Sequence, residues 1–144
     1  MKVEHILRKK GTRIITIRMN ETVEVAASLL RKENIGALVV KDVCRTEGNT
    51  VVGMFSERDV VRALADHGPA ALKMRVADLM SRKVVSCRHY DELSDVLALM
   101  DRHHVRHLPV LDGVALIGVI SIRDILAQQA GADLPGYREM PAAA

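Results

Sequence analysis

Two short segments carry the residue types best suited to chemistry: Ser56-Glu57-Arg58-Asp59 and Ser121-Ile122-Arg123-Asp124. Each lies between an apolar run and a helical pattern. A serine followed three residues later by an acid is the pattern of a capping box, in which the two side chains satisfy the free N–H groups of a helix start. The same carboxylate, in the first turn of a helix at the end of a buried strand, is placed to take a ribose diol. Both of its oxygens are acceptors, so two vicinal hydroxyls can donate to it. Arg58 and Arg123 oppose the dipole of the helix that they open. As a recurring pair they suit a phosphate or carboxylate gripped in forked geometry, and equally a solvated surface. Glu57 stands where Ile122 does, so the two segments differ beside their acids.

Other candidates are weaker. Thr16 and Ser86 close two short β-branched runs, Arg13–Ile17 and Lys83–Cys87, and as residues alone they are ordinary strand or turn positions. Arg106-His107-Leu108-Pro109 enters an apolar strand, where the equivalent earlier stretch is Gly36-Ala37-Leu38-Val39. His103 and His107 have i, i+4 spacing. The helix should end near His104, however, and no carboxylate or cysteine completes a tetrahedral set, so no metal site is expected. Histidines at a helix C-terminus, favoured by its dipole, are the simpler reading. There is no phosphate-binding glycine loop, and no Ser, Cys or His is assembled with a base into a nucleophile. No catalytic residue is nominated, and the chain is expected not to be an enzyme.

The elements that position these residues occur twice. Val3-Glu4-His5-Ile6-Leu7 matches the stretch from Val76 to Met80 at a shift of 73 residues, and Arg13–Thr16 matches Lys83–Ser86 at 70. The 70-residue shift holds from Thr22 to Val40, and Gly53–Asp59 then matches Gly118–Asp124 at 65. The shift changes around Lys9–Thr12 and Val43–Asn49, polar segments that read as surface loops. Val23, Ala26, Ala27 and Leu30 fall on one helical face, as do Leu93, Val96, Leu97 and Met100. Asn20 or Thr22, and Asp91, are the expected N-caps. These helices should stop near Asn34 and His104. Continuous apolar runs follow, Ala37–Val40 with Val51–Phe55 and Leu108–Leu111 with Leu116–Ile120, as suits strands buried on both faces. Leu111–Val114 reads as a tight turn. Second helices are expected from Glu57 to about Asp66 and from Ile122 to about Gln129. Each copy reads β-α-β-β-α, an α/β (α+β) fold. Two copies packed through their sheets about a pseudo-two-fold axis would leave two related clefts, and clefts between packed units are common ligand sites. The expected divisions are residues 3–68, 74–130 and a mobile tail, 131–144.

Composition limits the partners. The chain of 144 residues is 49% hydrophobic but has no Trp, one Phe and two Tyr, so its core must be aliphatic and base-stacking platforms are missing. A net charge of +3 is too even for a general polyanion binder, so no nucleic-acid partner is expected. The basic run Arg8-Lys9-Lys10 reads as a solvated turn. Cys44 and Cys87 have no paired spacing and read as free thiols of a reducing compartment. Neither a signal peptide nor an apolar run of about 20 residues is visible, so no membrane association and a cytoplasmic location are expected.

The repeated Ile35–Val40 and Val105–Val110 stretches, each followed by Gly-apolar-apolar-Ser-x-Arg-Asp, resemble the cystathionine-β-synthase (CBS) domain, a family that usually occurs as tandem pairs. The resemblance covers Val3 to about Ala130. It implies a disc-shaped pair, or Bateman module, with up to two clefts for adenosyl ligands: AMP, ADP, ATP, NAD(H) or S-adenosylmethionine. It also implies homodimers and, with nothing else attached, a stand-alone module acting on an unidentified regulated protein. Asp59 and Asp124 would then hold ribose, with Ser56 and Ser121 on the ribose or phosphate. Arg106, His107, Leu108 and Pro109 would line adenine and reach phosphate, with Ala37 and Leu38 the counterparts in the first copy. Thr16 and Ser86 would meet the adenine edge. The expected function is a regulatory adenine-nucleotide sensor needing no cofactor. The alternative is an interaction or dimerisation module with a vestigial cleft.

Overall fold

The structure is a computed structural model that describes residues 1–11, 13–44 and 48–130; the expected tail, 131–144, lies outside the described residues. The element order is α1 (Val3–Lys10), β1 (Thr16–Arg18), α2 (Val23–Glu33), β2 (Ala37–Cys44), β3 (Gly48–Ser56) and α3 (Glu57–His67). After a 3-10 turn at Gly68–Lys73 come α4 (Val76–Leu79), β4 (Cys87–Arg88), α5 (Leu93–His103), β5 (His107–Asp112), β6 (Ala115–Ser121) and α6 (Ile122–Ala130). The strands form two three-stranded sheets, β1-β2-β3 and β4-β5-β6. In each, the central strand runs parallel to the first and antiparallel to the third. The doubled β-α-β-β-α order of a mixed α+β fold is therefore present, with a leading helix before each copy.

The chain divides into two compact units that cut across the repeats. One is Arg13–Ser86; the other joins Met1–Thr12 to the chain from Cys87 onward. Each sheet thus takes the helix that precedes the other copy. The main chain shows why. In the first unit Val76 N donates to Glu21 O (2.8 Å), Ala77 N to Met19 O (2.9 Å) and Val23 N to Met74 O (2.9 Å). In the second, Val3 N donates to Asp91 O (3.0 Å), Glu4 N to His89 O (2.8 Å) and Leu93 N to Met1 O (2.9 Å). These are the same bonds at the repeat shift. They satisfy the unpaired N–H groups at the starts of two helices with the carbonyls of one turn and of the residue two before the leading helix's N-terminal residue.

The core is aliphatic, as the composition requires. In the Arg13–Ser86 unit Ile17, Val23, Ala26, Leu30, Leu38, Val40, Val76 and Met80 pack with Phe55, the chain's single phenylalanine. Val3, Leu7, Cys87, Leu93, Val96, Met100, Leu108, Val110 and Ile120 are buried at the related places of the other unit. The helices stop where expected: Asn34 and His104 take left-handed conformations, φ 52° and 54°.

Several expectations are corrected. Strands β1 and β4 begin only at Thr16 and Cys87, because Arg13 and Ile14, or Lys83 and Val84, lie before the stretch where β2 or β5 offers a partner. Thr16 therefore opens its strand, and Ser86 precedes one. The polar stretch Val43–Asn49 is not simply a loop, since Cys44 pairs with Gly48 and the hairpin ladder extends into it. Arg8, Lys9 and Lys10 are exposed as expected but form the last turn of α1 rather than a separate turn. Thr22 caps α2, accepting from Val25 N at 3.3 Å. Asp91 does not cap α5: Glu92 holds that position, and the Asp91 carboxylate accepts Arg88 N at 2.9 Å, closing the turn before it.

Candidate ligand site

Each sheet delivers its third strand directly into a helix, and the nominated serine and acid sit at that junction. Ser56 ends β3 and Ser121 ends β6. The Asp59 carboxylate accepts Ser56 N at 2.8 Å, and its Oδ2 lies 3.4 Å from Ser56 Oγ. Asp124 accepts Ser121 N at 2.9 Å and returns the bond, its own N–H donating to Ser121 Oγ at 3.1 Å. Both capping boxes therefore form, and each fixes its carboxylate against the helix start.

The heads of β2 and β5 are tied to the same junctions. Glu57 N donates to Gly36 O (3.1 Å) and Ile122 N to Arg106 O (2.9 Å). Ala37 pairs with Ser56 and Leu38 with Phe55; His107 pairs with Ser121 and Leu108 with Ile120. Leu38, Leu108 and Pro109 are buried, while Arg58, Arg106 and Arg123 are exposed. Thr16 is exposed and pairs with Val39, two residues along β2 from Ala37. Ser86 stands just before the Cys87–Val110 pair. The fold thus gathers Ala37, Leu38, Ser56, Arg58 and Asp59 at one sheet end, and Arg106, His107, Leu108, Ser121, Arg123 and Asp124 at the other. His103 ends α5 and His107 opens β5, so their i, i+4 spacing is not that of one helix.

The two acids differ electrostatically. Burial pushes the Asp59 carboxyl above its ordinary range, outweighing the bonds from Ser56 and the charges of Arg62 and Arg58. Burial would raise Asp124 as well, but there the Lys10 ammonium and the Ser121 N–H prevail and hold it below that range. Lys10 Nζ lies 2.7 Å from Asp124 Oδ2 and 2.8 Å from Val119 O. Lys10, not among the residues expected at the site, thus contacts one of its two acids. The signal was present: Val3, Ile6, Leu7 and Lys10 share one helical face, and a lysine ending a buried apolar stripe must find an acceptor at its rim.

A separate cavity of about 470 Å³ opens in the Arg13–Ser86 unit, lined by Arg18, Lys41 and Arg75 with Asp42 and Asp78 among others. It includes none of the nominated residues. Cys87 offers no nucleophile: burial, with the Asp91 charge, pushes its thiol up to about 12.

The sequence model of the CBS domain matches residues 3–66 and 76–131, most of the chain and both copies. The chain belongs to the CBS domain family. The CBS domain-containing protein YhcV of Bacillus subtilis is 30% identical over 82% of this chain and 80% of its own length. The crystal structure of the CBS-domain containing protein ATU1752 from Agrobacterium tumefaciens superposes with a TM-score of 0.84 at 34% identity, covering 90% of this chain and 99% of that one. The CBS domain pair of protein MJ0100, solved in complex with 5′-methylthioadenosine and S-adenosyl-L-methionine, gives a TM-score of 0.79 at 25% identity, over 92% and 98% of the two chains. The chain is thus a CBS pair, and pairs of this fold include one that holds adenosyl ligands.

Proposed function

We propose that this CBS pair is a regulatory module that binds an adenine nucleotide, AMP, ADP, ATP or NAD(H), and passes the binding event to a partner protein. The observation that carries the reading is the pair of capped carboxylates, Asp59 and Asp124. Each is locked by a serine N–H at the end of a strand and leaves acceptor capacity for a ribose diol. The adenosyl ligands of the MJ0100 pair support the same chemistry. Ser56 and Ser121 would assist at the ribose or phosphate, with Arg58, Arg123, Arg106 and His107 on the phosphate. Ala37, Leu38, Leu108 and Pro109 would lie against adenine, with Thr16 and Ser86 at its edge.

The reading is one of binding without turnover. Regulation requires that the ligand favour one of two global states. A homodimer is the assembly in which such a module would act. Among the described residues no helix is long and apolar enough to cross a membrane.

A thermal-shift panel of AMP, ADP, ATP, NAD, NADH and S-adenosylmethionine tests the proposal. A ligand that binds only the folded chain raises Tm with concentration over Kd. The expected result is a saturable rise with at least one nucleotide. No shift with any of them overturns the reading in favour of an interaction module with a vestigial cleft.

A further inference from the structure

The two junctions differ in the cation that contacts the acid: Lys10 bonds directly to Asp124, whereas only the charges of Arg62 and Arg58 act on Asp59. In the unit containing α6, the Lys10 ammonium bridges Asp124 Oδ2 and Val119 O, using two of its three N–H donors. Its side chain is 34% exposed, so the third donor is within reach of solvent or ligand. In the Arg13–Ser86 unit the corresponding carbonyl, Met54 O, is met instead by backbone, Ser81 N at 2.9 Å. The chain leaves α4 after one turn to form that bridge, whereas α1 runs on to Lys10. Lys83, the counterpart of Lys10 at the 73-residue shift, lies beyond the bridge and is exposed.

Neighbouring positions change in the same direction. The residue whose carbonyl meets the helix start is Gly36 in one unit and Arg106 in the other, and the residue that it meets is Glu57 or Ile122. The Asp124 junction therefore has Lys10 and Arg106 and lacks a glutamate, while the Asp59 junction has Arg62 where the other copy has Ala127.

We infer that Lys10 is a specificity-determining residue of the Asp124 site. Its ammonium, held against the ribose-binding carboxylate, selects adenosyl ligands with an anionic 5′ group over neutral or cationic ones. The inference rests on the adenosyl reading above. A phosphate drawn to that ammonium would form a charge-assisted bond that 5′-methylthioadenosine cannot make. The sulfonium of S-adenosylmethionine would meet like charge. The Asp59 site, without this lysine, lacks that preference.

The test is an NMR titration of the full chain with AMP, 5′-methylthioadenosine and S-adenosylmethionine, followed at the Ser121 and Ile122 amides. In the wild type AMP should bind there more tightly than 5′-methylthioadenosine. Lys10→Met should shrink that affinity ratio by about tenfold, while Lys10→Arg retains most of it. Well-dispersed spectra confirm that the variants fold, and Lys10→Gln repeats the test with a polar replacement. An unchanged ratio in folded Lys10→Met or Lys10→Gln overturns the inference alone. So does a wild type in which ligand moves the Glu57 and Asp59 amides but not Ser121 and Ile122. Failure of all three ligands to move any amide overturns the adenosyl reading and this inference with it.

Discussion

Leu7 packs over Gly118 so closely that a Cβ on the glycine would lie 2.8 Å from Leu7 Cδ2. Met80 stands over Gly53 in the same way, with its Sδ 2.8 Å and the Ser81 carbonyl oxygen 2.7 Å from the Cβ position. These are the contacts through which each leading helix reaches the third strand of its sheet. They predict unequal costs. A leucine methyl can rotate aside, so Gly118→Ala should cost under about 1 kcal/mol; a main-chain oxygen held in the Met54–Ser81 bridge cannot, and Gly53→Ala should cost about 2–3 kcal/mol. Urea unfolding of the two variants checks this, and equal midpoints would contradict it.

The opposite shifts of the two acids predict opposite pH dependences. Asp124 has a folded value below its ordinary 3.8, so its contribution to stability is complete above 3.8 and is lost as pH falls through the lower folded value. Asp59 is raised, so ionising it as pH climbs past 3.8 costs stability, and acidification through its folded value restores it. Carboxyl ¹³C titrations should place the midpoint of Asp124 below that of Asp59. Lys10→Met should move Asp124 upward and leave Asp59 in place, because Lys10 bonds to Asp124 alone among these two. Coincident midpoints in the wild type would refute the assignment.

Much of this was readable in the residues. Apolar spacing placed α2 and α5, and Asn34 and His104 ended them because a short polar side chain or an imidazole tolerates the left-handed turn better than a β-branched one would. Ser56-x-x-Asp59 and Ser121-x-x-Asp124 formed the boxes that their spacing demands. The exchange of leading helices was not readable. It depends on bonds such as Val3 N to Asp91 O, between residues far apart in sequence, and local pattern is silent about such pairs. The face that Lys10 shares with Val3, Ile6 and Leu7 was readable, but its partner was not, because Asp124 lies 114 residues away. Asp91 and Glu92 were both acidic and adjacent, so composition could not show which would cap α5 and which would close the turn.

Cys87 should be chemically silent in the folded chain. Its thiol is buried and pushed up to about 12, so almost no thiolate exists at pH 8. In a Cys44→Ser background a maleimide should label Cys87 only as fast as the chain opens, and urea should accelerate labelling to the rate of a free thiol. Rapid labelling of the native protein would show that the thiol is not buried.

The diol assignment predicts a coupling between ligand and protein atoms. If Asp59 and Asp124 each accept from the ribose hydroxyls, removing the 2′-hydroxyl deletes one bond to a charged acceptor at each site. Titrating 2′-deoxy-AMP against AMP should then show a loss of about tenfold. Asp59→Ala or Asp124→Ala should weaken AMP several-fold or more at its own site, followed at the Glu57 or Ile122 amide. In each variant the two nucleotides should bind that site nearly equally, because the group that told them apart is gone. The penalty and the substitution are therefore not additive, which is the signature of a direct contact. A 2′-deoxy penalty that survives both substitutions would remove the carboxylates from the ribose and leave them as helix caps.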